Sequence, residues 1–116
     1  MDETLKQALD FANYQHTLSI QRQTLKEKIQ AKLTYGYNGG LFYIDRTLLT
    51  FVDMLCTKNR LSGVILIDLN DNPIMIDDLE SFKEEIFSRY FETTIEYYTL
   101  YQNIKKSRSV EKLLEK

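Results

Sequence analysis

The chain has 116 residues, 43% of them hydrophobic and 28% charged, with a net charge of −2. That is enough for one domain with one modest core, residues 1–116, and the balance gives no global electrostatic case for nucleic acid or an anionic membrane. A single cysteine, Cys56, excludes an internal disulfide, no apolar run approaches bilayer length, and the opening MDETLKQALD lacks a signal-peptide core, so cytoplasmic synthesis is expected.

Residues 3–33 contain neither Gly nor Pro. Phe11, Tyr14, Leu18, Leu25, Ile29 and Leu33 recur at spacings of three, four and seven, which is one face of a helix. The segment from His16 to Lys28 is notably polar, so the stripe is narrow, as in a seam against another helix. His16 is the only histidine and has no second ligand type beside it, so a metal role is not expected.

Residues 34–44, TYGYNGGLFYI, carry Asn38-Gly39, the pair that suits a type I′ turn because both central residues need positive φ. Thr34, Tyr35 and Tyr37 would face Leu41, Phe42 and Tyr43, with Gly36 marking a bulge. The glycines are not followed by GK[ST], so they do not make a phosphate loop. Asp45 then caps a short helix, Arg46 to Lys58, whose Leu48, Leu49, Phe51, Val52, Leu55 and Cys56 predict the most buried element, with Phe51 in the core.

Val64-Ile65-Leu66-Ile67 and Ile74-Met75-Ile76 flank the turn cluster Asp68 to Pro73, the pattern of a second hairpin. Their apolar residues are successive, not alternate. That predicts strands covered on both faces, or one covered face plus a contact surface. Asp68, Asn70 and Asn72 match the first ligands of a calcium loop, but Pro73 and Leu79 stand where that loop needs Gly and an acidic residue, so no calcium site is expected. Asp77 and Glu80 have the spacing of a capping box.

The last helix is expected from about Asp78 to at least Lys105. Leu79, Phe82, Ile86, Tyr90, Tyr97, Tyr101 and Ile104 form one stripe, and Phe87, Phe91, Ile95 and Tyr98 form a second beside it. A small domain covers one stripe readily, and a second points to a partner. Phe91, Tyr98 and Tyr101 are the expected partner-binding anchors. The basic run Lys105, Lys106 and Arg108 suits the helix dipole and is the candidate set of phosphate contacts under a nucleic-acid reading.

The fold expected is α+β in the order α-ββ-α-ββ-α, with long terminal helices flanking two hairpins and a short buried central helix. No hydrolytic triad, P-loop, dinucleotide fingerprint, zinc spacing or redox CxxC is present. No catalytic, cofactor or metal residue is therefore proposed, and the chain reads as a non-enzyme.

YNGG (Tyr37 to Gly40), NPIMIDDLESF (Asn72 to Phe82) and KKSRSVEKLLE (Lys105 to Glu115) together resemble small uncharacterised proteins of contractile-tailed phages of marine cyanobacteria. The resemblance implies a phage protein made in the host cytoplasm, in the virion or outside it, and brings no catalytic residues. The function expected is a protein-interaction module, self-associating or docking on another protein through its long helices, as a phage assembly or virion accessory protein. The rival readings are an accessory factor of nucleic-acid metabolism and a host-takeover adaptor that binds one host protein.

Overall fold

The computed structural model describes residues 2–114, with side chains as far as Lys106. Seven elements follow one another: helix α1 (Asp2–Lys32), strands β1 (Thr34–Tyr37) and β2 (Gly40–Tyr43), helix α2 (Arg46–Thr57), strands β3 (Val64–Ile67) and β4 (Pro73–Ile76), and helix α3 (Leu79–Leu114). The order is the α+β arrangement that hydrophobic periodicity and turn chemistry predict. The strands form two separate antiparallel hairpins, β1 with β2 and β3 with β4, and not one sheet.

Two compact units make up the chain, residues 29–95 and the pair of segments 1–28 and 96–116. The 29–95 unit holds most of the core. Phe42, Ile44, Leu49, Val52, Leu66, Ile74, Ile76, Leu79, Phe82 and Ile86 are all buried there, together with Ile29 and Leu33 at the end of α1. The Phe82 ring is the centre of an aromatic cluster, with ring centroids 5.2 Å from Tyr37, 5.5 Å from Phe42 and 6.0 Å from Tyr35. Such tilted and edge-on contacts add to area burial.

Local chemistry explains each turn. Asn38 and Gly39 have φ of 48° and 81°, the left-handed pair of a two-residue hairpin loop. The register pairs Gly36 with Leu41 without interruption, so Gly36 marks no bulge. Gly40 is required by packing, since a Cβ there would come 2.5 Å from Ile74 Cγ1. Asp45 caps α2 by accepting from the Leu48 N–H at 2.8 Å. At the start of α3 the capping residue is Asp78, not Asp77. Its carboxylate accepts from the Ser81 N–H and Oγ–H at 3.1 and 2.8 Å, which takes the place of the Asp77–Glu80 box.

The central helix departs from its expected burial. Leu49 and Val52 are buried, but Phe51 is 44% exposed and Met54 is exposed beside it. Phe51, adjacent to Val52 in sequence, is turned about 100° around the axis from it and remains largely in solvent. Cys56 is half-buried and free.

The unit of 1–28 and 96–116 contains antiparallel stretches of α1 and α3. Lys28 Nζ pairs with Glu96 Oε1 at 3.5 Å. Farther along, Ile20, Leu25, Leu100 and Ile104 line an apolar cavity of about 450 Å³. The buried apolar residues of this unit, among those described, are Leu18 and Leu25. No described helix is long and apolar enough to cross a membrane.

Candidate interaction surfaces

On α3 the first stripe turns inward as expected. Leu79, Phe82 and Ile86 are buried, and Tyr90, Tyr97, Tyr101 and Ile104 are half-buried. Of the second stripe, Phe87 is half-buried and Phe91, Ile95 and Tyr98 stay in solvent. In the 29–95 unit, Phe91 is 56% exposed and Ile95 is exposed after it, with the Phe91 ring 6.1 Å from Phe87 and 6.0 Å from Tyr90. In the other unit, Tyr98 is 66% exposed. Of the three expected anchors, Phe91 and Tyr98 are therefore open, while Tyr101 is half-buried on the inward stripe with Lys105 Nζ 5.8 Å from its ring centroid. Lys105 and Lys106 are exposed. The Arg108 side chain, like those of Val110, Leu113 and Leu114, lies outside the described side chains.

Helix α1 carries further open apolar groups. Leu5, Leu9, Phe11 and Ile20 are all more than half exposed. Leu5 and Leu9 are four residues apart, so they share a helix face. His16 is exposed on the same helix.

A third apolar area lies in the 29–95 unit, and periodicity alone did not single it out. β3 and β4 bury Leu66, Ile74 and Ile76 on one face and leave Ile65, Ile67 and Met75 on the other, with Ile67 61% exposed. Successive apolar positions in both strands were the signal. Of the two arrangements they allow, the hairpin adopts one covered face and one open one.

The charged groups explain stability more than chemistry. Asp68 is buried, and its carboxylate accepts three backbone N–H groups: Leu41 on Oδ2 at 3.0 Å, and Asn70 and Asn72 on Oδ1 at 3.0 and 2.8 Å. Those bonds, led by Asn72 and Leu41, hold it below its ordinary carboxylate range. The Asp68 to Asn72 turn is thus organised around a carboxylate that pins β2 to the end of β3. Hydrogen bonds from Ser81 lower Asp78 in the same way. Lys83 bridges to Asp53 at 2.8 Å, which raises its ammonium pKa. The Arg89 guanidinium lies 4.4 Å from the Tyr35 ring centroid and bonds Glu85 Oε1 at 2.6 Å. Burial is the main cause that pushes the Tyr35 hydroxyl up, with Glu85 adding to it and Arg89 opposing. Among the described residues, no three or more His, Cys, Asp or Glu side chains are grouped to hold a metal.

The class these features define is an α+β protein of two hairpins and long helices with open apolar surfaces. No protein family, curated protein or solved structure matches the chain.

Proposed function

We propose that the chain is a non-enzymatic protein-interaction module that self-associates through the helices of the 1–28 and 96–116 unit. One observation carries the reading. Among the described residues, that unit buries two apolar side chains, Leu18 and Leu25, and exposes Leu5, Leu9, Phe11, Ile20 and Tyr98. Paired helices with so little covered surface gain stability by burying the rest against another helix, because apolar area removed from water is the dominant favourable term in association. A second copy supplies the same open faces, and a symmetric dimer uses one patch twice. In the setting that the phage resemblance implies, such a module works in the host cytoplasm, during assembly or in the virion.

Sedimentation equilibrium at about micromolar concentration tests the reading. The wild-type protein is expected above monomer mass, and Leu9→Glu is expected at monomer mass with an unchanged circular dichroism spectrum. A monomer at every accessible concentration overturns it.

A further inference from the structure

The 29–95 unit has a feature separate from those helices: two open strand edges that border one cavity. The two-residue loop makes Tyr37 and Gly40 a hydrogen-bonded pair, and bonding alternates along an antiparallel ladder. The bond from Ile44 N–H to Leu33 C=O has the same parity. Leu41 and Tyr43 therefore turn their backbone groups away from β1. In the second hairpin, Asp68 N–H donates to Asn72 C=O, so Leu66–Ile74 and Val64–Ile76 exchange bonds. Ile65 and Ile67 point their N–H and C=O groups away from β4.

The two edges meet at one corner. Leu69 N–H donates to Leu41 C=O at 2.8 Å, and Leu41 N–H is taken by Asp68. Beyond that corner they part. Tyr43 and Asp45 on one side and Ile65 and Ile67 on the other line a cavity of about 420 Å³, together with Leu48 and Phe51 of α2. Among the described residues no protein group bonds the outward N–H and C=O of Tyr43, Ile65 or Ile67. Among the described residues, the charged ones lining the cavity are Asp45 and Asp68, with no Lys or Arg. Both Asp68 oxygens are engaged, whereas Asp45, which lines the cavity, accepts the α2 cap bond on Oδ1 alone among the described hydrogen bonds.

We infer that this opening receives an extended segment of another protein, alternating apolar and basic residues, which adds to the free edge of β3. Main-chain bonds to Ile65 and Ile67 supply affinity, as in strand addition generally. Apolar side chains of the segment pack on Leu48 and Phe51, and a Lys or Arg meets the Asp45 carboxylate. Strands of four residues offer an edge about 13 Å long at 3.3 Å per residue, which suits a short segment and limits edge-to-edge aggregation. Charge complementarity selects the basic segment, because an acidic one would bring a third carboxylate to a site that already holds two.

The probe is the peptide acetyl-Val-Lys-Val-Lys-Val-amide, titrated into ¹⁵N-labelled full-length protein. The Ile65, Ile67 and Tyr43 amide signals are expected to shift. The same peptide with Glu in place of Lys is expected to bind about tenfold more weakly. Asp45→Asn keeps a competent helix cap and is expected to narrow that preference. A peptide N-methylated at alternate residues loses the main-chain donors and is expected not to bind. Equal binding of the N-methylated peptide overturns strand addition, and equal binding of the Glu peptide overturns the charge assignment. No shift of the three amides at about 1 mM peptide overturns the site. Leu9→Glu is expected to leave the titration unchanged, so this outcome and that of the self-association test are read separately.

Discussion

The two units use similar residues for opposite ends. Of the fourteen buried apolar side chains among the described residues, twelve belong to 29–95 and two to the other unit. Both units contain helix, and both contain large apolar groups in solvent. The difference lies in what each helix segment has beside it. In 29–95 the rings of Tyr35, Tyr37 and Phe42 from the first hairpin close around Phe82 of α3, and Ile44 N–H bonds the Leu33 carbonyl at the end of α1. In the other unit a helix stretch has one helix stretch beside it, and one neighbour covers one narrow stripe. A helix whose apolar band is wider than its neighbour leaves the remainder for a partner. The first unit therefore holds most of the buried core, and the second is the one that the proposed self-association would use.

The sharpest test of that division is Phe82→Ala. It removes a 2%-exposed ring that three other rings contact. The expected cost is about 3–5 kcal/mol, a large part of the stability of a small domain, measured by urea denaturation. A loss below about 1 kcal/mol would break the claim that 29–95 is the stable unit.

Tyr98→Ala probes the other side. With two thirds of its surface in solvent, the side chain contributes little to the monomer. Truncation is expected to weaken self-association by roughly 2 kcal/mol, as at an interface hot spot, and to leave the unfolding midpoint of the monomer unchanged. Charge reversal at Lys105, Lys106 and Arg108 is expected to act mainly on rate and salt dependence. If charge reversal abolishes a measured nucleic-acid affinity while Tyr98→Ala only reduces it, α3 works as a phosphate contact and the association reading fails.

Acid tests the hairpin corner. Asp68 and Asp78 are both held below the ordinary carboxylate range by hydrogen bonds made in the folded state. Their folded pKa values lie below the unfolded ones, so they stabilise the protein above about pH 4 and lose that contribution as pH falls through the folded values. The urea midpoint is expected to drop over that range in the wild type and to drop less steeply in Asp68→Asn, whose midpoint is lower at neutral pH. Parallel curves for the two proteins would show that Asp68 does not govern the acid response.

The smallest effect belongs to Phe51→Ala. At 44% exposure the ring is expected to contribute at most about 1 kcal/mol to folding, well below Phe82. A cost comparable to that of Phe82→Ala in the same denaturation assay would place Phe51 in the core after all.

How legible each part was follows from the range of its determinants. The two-residue loop at Asn38-Gly39, the Asp45 cap and the order of seven elements rest on local chemistry: positive φ, an Asx oxygen within reach of an N–H two or three residues on, and period 3.6 against period 2. Neighbours in sequence carry all of these, so sequence alone determines them. The division of α3 into an inward and an outward stripe was legible for the same reason, since spacing along one helix defines faces.

Other features needed the assembled chain. Asp78 and not Asp77 caps α3, because the helix begins at Leu79, which is fully buried and whose N–H bonds the Leu61 carbonyl. Phe51 is 44% exposed while its neighbour Val52 is fully buried, a fact of packing that the composition of the helix does not contain. Periodicity names the apolar faces a chain has, but which of them is covered depends on residues far away in sequence. Asp68, placed by its sequence in a turn, bonds Leu41 twenty-seven positions earlier. The opening between the edges of β2 and β3 is of the same kind: four strands were readable one by one, and only tertiary structure decided that the middle two would meet at a corner and part.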